Sequence, residues 1–410
     1  MGEGKWGGKG RRGLLATVIL LGTPVLAAEP VPEAEPAPET EPAPESAPEA
    51  QAAPEAEPTP EAEPTAVAEL TPGAQLTPTV DAPKPKEKKP KPGAGAVTEP
   101  ISEGGEGQSA NQEKTKGLQV RPFGRVYARV SADERDQYER SLSIASARVG
   151  LQASLSHVDA EVTADLSSKS ILKDAFVRVA DGKKRLRLYG GQFKAPFLER
   201  ELESSWRLPL MRRGLVADYL EDTHHLGGRR LGLMGEASIK QAWKLKVSGG
   251  VFQGARDEDT DTINGEDAAL RVSVRPFKVL TIGASGYMTE VFKGIRNYAV
   301  TADAALRLGG LELSGEYVNG VLSVGPFNAQ LGLASYTLPV GEDGWAVQPV
   351  VGAETLQLLG PLKARGYGVV GGFNVLYSEH FKAQLQAEHA LRPGDEAAGL
   401  EYSLQLAMRF

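Results

Sequence analysis

Glu401-Tyr-Ser-Leu-Gln-Leu-Ala-Met-Arg-Phe410 ends the chain and decides its fold. Large apolar side chains stand at every second position of this stretch, and the positions between them hold mostly polar or small residues. A β-strand directs alternate side chains to opposite faces, so the pattern predicts a strand with one apolar and one polar face. The edge strand of a soluble β-sandwich is the alternative interpretation of this segment.

An aromatic residue closes the chain on the apolar face of that strand. This ending resembles the C-terminal strand of bacterial outer-membrane β-barrels, whose terminal Phe serves as an assembly signal. The resemblance implies that the barrel assembly machinery is a partner of the chain. It also implies that the assembly signal comprises the alternating apolar residues Tyr402, Leu404, Leu406, Met408 and Phe410.

The N-terminus carries a second targeting pattern. Four Lys or Arg residues lie within the first twelve positions, an apolar run follows from Leu14 to Leu26, and Ala27-Ala28 comes next. A basic region, a short apolar core and small residues at a cleavage site predict a secretory signal peptide over residues 1–28. A single anchoring helix is the alternative, but the run is shorter than the about 20 residues that a membrane span needs. The chain has no Cys, so no disulfide framework is expected.

Residues 29–116 have a different composition, rich in Pro, Ala, Glu and finally Lys. Eighteen of the 28 prolines lie between Glu29 and Pro100. Because such a segment has few large apolar groups to offset the entropy of ordering, we expect a disordered linker in the periplasm. The basic stretch Lys84 to Lys91 would suit contact with an anionic polymer such as peptidoglycan. A solubilising tail is the alternative function.

From residue 117 to residue 410 the sequence alternates between apolar and polar residues through about sixteen candidate strands. Examples are Phe123 to Val130, Leu142 to Leu155 and Val158 to Leu166. Strands of this kind, apolar on one face and polar on the other, suit a barrel in lipid with a wet interior. The predicted fold class is therefore all-β: a transmembrane antiparallel barrel of about 16 strands, preceded by the disordered segment. A soluble sandwich would show the same periodicity.

The connections between the candidate strands favour the membrane barrel. Long connections alternate with short ones, and the long ones include Ala132 to Arg140, Thr289 to Arg296 and Asn319 to Pro326. Bacterial outer-membrane barrels join short periplasmic turns to longer external loops. An even number of strands would return the C-terminus to the periplasmic side. We therefore expect the barrel to lie in the bacterial outer membrane, with membrane lipids around it.

The longest connection, Lys194 to Arg229, holds more large apolar residues than a loop surrounded by water needs. A loop of this length has a function or is disordered. We expect it to fold into the barrel and to narrow the channel. The segment Tyr189-Gly-Gly-Gln-Phe-Lys-Ala-Pro-Phe197 resembles the fifth strand and third loop of the phosphate-selective porin O and P family. The resemblance implies a sixteen-stranded trimer that moves anions past basic residues, and the linker lies outside the family pattern.

Basic residues on the inward positions of the strands and in the long loop are the candidate pore lining. Arg suits a pore that meets phosphate or carboxylate because its fork of donors is fixed. Residues 117–410 contain 35 Lys and Arg against 34 Asp and Glu, however. Cross-strand ion pairs that stiffen the wall are thus the alternative role. The candidates are Lys194, Arg207, Arg212 and Arg213 in the loop, and Arg125, Arg129, Arg148, Arg178, Arg187, Arg271 and Arg275 in the strands.

An enzyme is the main rival class, since some outer-membrane barrels are hydrolases. The five histidines show no arrangement of nucleophile and base, and catalysis, metal ions, cofactors and nucleic acid are not expected. The predicted function is passive diffusion of small hydrophilic solutes, preferentially anions, through a porin. A structural anchor that ties the envelope to the cell wall through the linker is the alternative function.

Overall fold

The computed structural model describes residues 117–254, 263, 265–292, 294–361 and 363–410. The predicted signal peptide, residues 1–28, and the predicted linker, residues 29–116, lie outside these residues. Both remain predictions.

The described residues form one antiparallel sheet. β12 and β13 both pair with β14 and are separated only by Thr337, so together they make a single interrupted wall strand. The wall therefore has sixteen strands, as the sequence predicts. The strand bounds are Gln119–Asp133 (β1), Arg140–Leu155 (β2), Val158–Asp165 (β3), Leu172–Ala180 (β4), Leu186–Lys194 (β5), Arg229–Ile239 (β6), Leu245–Gln253 (β7), Glu266–Phe277 (β8), Leu280–Phe292 (β9), Ile295–Leu308 (β10), Leu311–Leu322 (β11), Gly325–Tyr336 (β12), Leu338–Val340 (β13), Trp345–Leu358 (β14), Arg365–Tyr377 (β15), Phe381–Leu391 (β16) and Gly399–Arg409 (β17).

The sheet closes on itself because β1 pairs with both β2 and β17. At the closure, the Gly124 amide donates to the Phe410 carbonyl at 3.1 Å, and the Phe410 amide donates back to the Gly124 carbonyl at 3.0 Å. The Phe410 ring lies where a β-carbon at position 124 would stand, so a residue larger than Gly would displace the ring. Closure removes every unpaired strand edge from the wall.

The two faces of the wall reverse the usual arrangement of a soluble protein. On β17, the apolar residues Leu404, Leu406 and Met408 point outward and are exposed, whereas Gln405 points inward and is 2% exposed. The same parity holds on β1, where Val126 is outward and Arg125 is inward and buried. An apolar outer surface around a polar interior fits a barrel surrounded by lipid and excludes the soluble sandwich.

The connections differ at the two ends of the barrel. At the end that holds Gln119 and Phe410, here called the terminal end, the turns have two to five residues. At the opposite end, here called the loop end, the connections range from two residues to 34. The predicted loops over residues 289–296 and 319–326 are wrong in length, because β9 to β12 extend far enough to leave two-residue turns there.

Helical turns occur only in connections within the described part of the chain. They are a 3-10 turn over Glu134–Asp136, the short helices Glu199–Leu202 (α1) and Leu215–Asp218 (α2), and a π-helical turn over Tyr219–Thr223. No described helix has the length and apolar character to span a bilayer. Three of the four helical turns belong to the connection between β5 and β6, which we call L3 (residues 195–228).

Candidate functional site

L3 leaves the wall at the loop end and lies inside the barrel. Its base is closed by a hydrogen bond of 2.9 Å from the Ala195 amide to the Gly228 carbonyl. Its course depends on residues with positive φ, which include Gly214 at 103° and Gly227 at 96°. Gly214 also stands so close to the Glu354 carboxylate that a β-carbon there would collide with it. The predicted folding of the long loop into the lumen is therefore what the structure shows.

The first and last parts of L3, residues 197–202 and 214–226, form what we call the stem. The stem buries Phe197, Leu198, Val216, Leu220 and Leu226, each at most 1% exposed. The Phe197 ring lies 5.5 Å from the Tyr287 ring of β9. The partners of the stem are inward apolar residues of the wall, which include Phe176, Tyr189, Phe193, Met234, Phe252, Tyr287, Val318, Phe327 and Leu356. Fully burying side chains of this size stabilises by about 1.5–3 kcal/mol each, so the stem is held mainly by apolar contact.

The middle of L3, residues 206–213, forms what we call the tip, and it is held by hydrogen bonds. The Pro209 carbonyl accepts from Asn374 Nδ2 at 2.8 Å and from Gln384 Nε2 and Gln386 Nε2, both at 3.0 Å. Lys382 Nζ donates to the Trp206 carbonyl at 2.9 Å and to the Leu208 carbonyl at 3.0 Å. Three side-chain amides and one ammonium group thus fix the backbone of the tip against β15 and β16.

Two wall carboxylates hold the backbone where the stem turns into a helix. Glu354 accepts from the amides of Leu215 at 2.6 Å and Val216 at 3.1 Å. Glu316 accepts from the Glu199 amide at 3.0 Å. The first amides of a helix have no partner within it, so these carboxylates satisfy donors that would otherwise be buried without one. Pattern reading missed both residues, because a Glu on an inward strand position gives no sign of its partner in a distant loop.

The four predicted loop cations mainly hold L3 together and to the wall. Lys194 is buried, and its ammonium group donates to the carbonyls of Glu201 at 2.8 Å and Glu203 at 3.2 Å. Arg213 forms an ion pair with Glu201 at 3.1 Å, and Arg212 forms one with Glu401 of β17 at 2.9 Å. Arg207 is half-buried in the tip.

Most of the predicted wall arginines point into the lumen and are paired with carboxylates. Three of these pairs join residues directly opposite each other on neighbouring strands. Cross-strand pairing is the alternative role that the balanced charge count left open, and the structure shows it. The pairs are Arg148 with Asp165 at 3.0 Å, Arg178 with Asp159 at 2.9 Å, Arg187 with Glu236 at 2.9 Å, and Arg271 with Asp303 at 2.8 Å and with Glu199 at 2.7 Å.

Several inward cations have neutral hydrogen-bond acceptors instead. Arg129 donates to the Gln405 side-chain oxygen at 2.7 Å and to the Met211 carbonyl at 3.2 Å. Arg275 donates to the Thr281 hydroxyl at 3.4 Å. The Arg125 guanidinium lies 5.8 Å from the centre of the Tyr127 ring. Neutral acceptors do not offset the positive charge, so Arg129 and Arg275 contribute more to the potential of the lumen than the paired arginines do.

Two titratable groups of L3 have shifted pKa values. Burial, helped by the neighbouring Glu312, raises the pKa of Glu203 to about 7 despite its contact with Arg307. Burial, with the neighbouring His225, lowers the pKa of His224 to about 4. His224 packs against the Tyr219 ring at 4.7 Å, and its Nε2 has no hydrogen-bond partner among the described residues. His224 is therefore a neutral packing residue at pH 7.

The described histidines do not form a catalytic centre in the lumen. The Ser378 hydroxyl lies 3.3 Å from His380 Nδ1 in an exposed turn at the terminal end. His389 lies on the outer face beside Tyr367, whose hydroxyl is 3.2 Å from His389 Nε2. Within the described residues, no group of three or more His, Cys, Asp or Glu is arranged to hold a metal ion.

No protein-family model matches the sequence, and no curated protein sequence matches it. Solved structures do match the fold. The anion-selective porin from Comamonas acidovorans aligns over 72% of this chain and 100% of that one, with a TM-score of 0.53 and 13% identity. The outer-membrane expressed OmpT of Vibrio cholerae aligns over 73% and 99%, with a TM-score of 0.54 and 12% identity. The outer membrane channel DcaP of Acinetobacter baumannii aligns over 73% and 100%, with a TM-score of 0.53 and 10% identity.

These likenesses agree with the closed barrel. The described part of the chain has the fold of the outer-membrane porins.

Proposed function

We propose that this protein is an outer-membrane porin that lets small hydrophilic solutes diffuse through a channel constricted by L3. The observation that carries the proposal is a 34-residue connection lodged in the charged lumen of a closed barrel with an apolar exterior. A barrel that served only as an anchor would need no loop anchored by both apolar contact and hydrogen bonds inside it. The similarity to solved porins supports the same function.

A preference for anions is the finer part of the proposal. It is supported by the inward cations with neutral acceptors, Arg129 and Arg275, since basic residues that line a pore select anions. The likeness to an anion-selective porin and the Tyr189 to Phe197 resemblance to the phosphate-selective family point the same way. The cross-strand ion pairs oppose a strong preference, so we propose a modest one without specificity for phosphate.

Reversal potentials in a KCl gradient test both parts. Purified protein should form channels in planar bilayers, and the wild-type reversal potential should have the sign expected for excess chloride flux. Arg129→Gln and Arg207→Gln should move it toward zero, because charge in a confined, low-dielectric passage acts more strongly than charge at a mouth. Lys183→Gln and Lys240→Gln, on exposed turns of the terminal end, are the matched controls. Absence of channels would refute the porin, and equal shifts in both pairs of variants would refute L3 and the wall as the filter.

The assembly signal is proposed for the last strand, whose alternating apolar face ends at Phe410. The mutual hydrogen bonds of Phe410 and Gly124 join the last strand to the first, so loss of Phe410 should impair barrel closure. We expect deletion of Phe410 to reduce heat-modifiable barrel in the outer membrane, whereas Phe373→Leu, on the outer face of β15, should not. A normal level of barrel after the deletion would contradict this role.

A homotrimer is the proposed assembly. Strands β2 to β7 are fully described, and their aromatic residues Phe176, Tyr189, Phe193 and Phe252 all point inward. Elsewhere aromatic side chains are exposed on the outer face, among them Tyr298, Tyr317, Tyr336, Phe373 and Tyr402. Aromatic residues mark the interfaces of a barrel with lipid headgroups, so their absence from the outer face of β2–β7 favours contact with protein there. One of the similar structures, OmpT of Vibrio cholerae, is a trimer form.

Trp placed in that contact should disrupt it. Leu188 and Leu233, the most exposed leucines of β5 and β6, are the positions to test. We expect Leu188→Trp and Leu233→Trp to convert trimers to monomers in light scattering, and Leu404→Trp on β17 to leave trimers intact. Monomeric wild-type protein would refute the assembly.

A further inference from the structure

A crevice opens at the loop end between L3 and the strands β16 and β17. Its volume is about 280 Å³, and a smaller cavity of about 30 Å³ adjoins it deeper in the barrel. The two cavities share Arg212, Gly214, Glu388 and Glu401, so they form one continuous recess. Asp218, Tyr219 and Asp222 line the outer part, and Arg129 lines the inner part. The volume of the outer part lies just below the about 300–1,000 Å³ that small-molecule sites occupy.

The charged groups of the crevice are not fully paired. Arg135 is held by Asp133 at 2.6 Å, and Arg212 is held by Glu401 at 2.9 Å. Asp218 and Glu388 have neither a hydrogen bond nor an ion pair to their carboxylates among the residues that the structure describes. The outer part thus presents unpaired carboxylates, with Asp222 beside them. The guanidinium group of Arg392, at the rim, likewise has no hydrogen bond or ion pair within the described part of the chain.

The inner part of the crevice is also mixed in charge, since Arg129 and Arg212 line it together with Glu354, Glu388 and Glu401. Arg129 reaches it with its charge bonded only to neutral oxygens, those of Gln405 and Met211. The tip of L3 contributes Leu210, Met211 and Arg212 to this part. A solute that enters the crevice therefore meets carboxylates and guanidinium groups in both of its parts. A lining of both signs suits a solute that itself carries both signs.

From this arrangement we infer that the crevice is a binding site for a small dipolar solute that carries both an ammonium group and a carboxylate, of the size of a free amino acid. The ammonium group would be held by Asp218 and Glu388, and the carboxylate would face Arg129. Both contacts are charge-assisted, the kind of hydrogen bond that orients a ligand most strongly. The inference deepens the proposed porin function by naming a solute class that binds beside its constriction.

Titration calorimetry on the purified, detergent-solubilised full chain tests the site, with L-lysine as the probe at low salt. We expect measurable binding that Asp218→Asn and Glu388→Gln each weaken by about tenfold, because each removes a hydrogen-bonded charge. Glu342→Gln and Asp343→Asn, on an exposed turn of the terminal end, are the matched controls and should bind like the wild type. Retained heat-modifiable mobility on gels shows that each variant is folded.

Two comparison probes test whether the bound solute needs both an ammonium group and a carboxylate. n-Butylamine lacks the carboxylate and glutarate lacks the ammonium group, so both should bind at least several-fold more weakly than L-lysine. The assignment is overturned if L-lysine does not bind, if the variants bind like the controls, or if n-butylamine binds as well as L-lysine. Conductance without added solute tests the channel separately: a conducting protein that ignores L-lysine refutes only the site, and a binding protein that does not conduct refutes only the porin.

Discussion

The stem and the tip of L3 belong to the same loop, yet opposite kinds of interaction hold them. The stem rests on an apolar part of the wall, where Phe197, Leu198 and Leu220 are fully buried. The tip rests on a polar part, where Asn374, Lys382 and Gln384 donate to backbone carbonyls. The sequence pattern predicts a polar lumen. In the structure the inner face of the wall has an apolar part under the stem, here called the apolar arc, and a polar part under the tip, here called the polar arc.

The difference separates how strongly the loop is held from where it is held. Apolar contact is roughly proportional to buried area and has little directional preference, so the stem supplies most of the stabilisation. Hydrogen bonds contribute little net free energy but fix position, because a donor or acceptor left unpaired is costly. The stem should thus keep L3 inside the barrel, and the tip should set the width of the constriction. Substitutions in the stem and in the tip can test this division of roles.

The largest effect is expected in the stem. Phe197→Ala removes a fully buried ring that packs on Tyr287, and such a truncation costs about 3–5 kcal/mol. We expect L3 to leave the lumen for a measurable fraction of the time while the hydrogen-bonded wall stays closed. The measurement is limited trypsin digestion with mass spectrometry, since L3 contains Arg207, Arg212 and Arg213 as cleavage sites. Single-channel conductance should rise and become noisier.

Leu270→Ala is the control for this truncation. Leu270 points outward from β8, outside the proposed trimer contact, and is 54% exposed, so its truncation should leave L3 as resistant to trypsin as in the wild type. If Phe197→Ala also leaves L3 resistant to trypsin, the apolar contacts of the stem with the wall do not hold the loop.

The alternation that predicts the strands is local information, and the structure confirms it. The parity that turns Arg148 and Arg187 inward follows from each strand alone, and so does the apolar outer face of β17. The apolar content of the Lys194 to Arg229 connection also predicts correctly that it lies in the lumen. The sequence predicts the ends of the strands less well. β10 begins at Ile295 and β11 ends at Leu322, and both residues lie in segments that the sequence predicts as loops.

The apolar arc could not be predicted in the same way. Phe176, Tyr189 and Phe193 stand on inward positions, where a water-filled lumen would favour polar residues, and only the docked loop explains them. The partners of Glu354 and Lys382 lie more than a hundred residues away along the chain, so no spacing reveals them. The arginine set shows the same limit: its inward direction is local, but its pairing with carboxylates depends on strand register.

A smaller effect is expected in the tip. Lys382→Met keeps the length of the side chain but leaves the carbonyls of Trp206 and Leu208 without their donor. A buried acceptor without a partner costs about 1–3 kcal/mol, and relief from burying the ammonium group offsets part of that cost. We expect a conductance that fluctuates between discrete levels, with L3 still resistant to trypsin.

Lys278→Met, in a terminal-end turn outside the described contacts of L3, is the control and should conduct like the wild type. A trypsin-sensitive loop in Lys382→Met would mean that the tip also supplies the stability of L3. The division of roles between the stem and the tip would then be wrong.

The smallest effect is expected between the stem and the tip, where Glu203 follows α1. There the stability of L3 should depend on pH. Because burial raises the pKa of Glu203 from its ordinary value of 4.5 to about 7, the folded loop binds its proton more tightly than the unfolded loop does. The resulting stabilisation is fully present below about pH 4.5 and is lost as pH rises through about 7. L3 should therefore open more readily at pH 8 than at pH 5. Hydrogen–deuterium exchange of L3 peptides, corrected for the intrinsic pH dependence of exchange, measures it.

Glu203→Gln isolates this contribution, since Gln keeps the shape of a protonated Glu and does not titrate. His224 acts in the opposite direction: burial lowers its pKa to about 4, so its contribution is lost as pH falls from about 6.5. His224 is present in both proteins, and the difference between them between pH 5 and pH 8 reports Glu203 alone. That difference should grow with pH and favour Glu203→Gln. If the exchange of L3 peptides responds to pH alike in both proteins, Glu203 ionises beside its partner Arg307 without disturbing the loop. The segment between the stem and the tip is then as insensitive to pH as the apolar contacts of the stem.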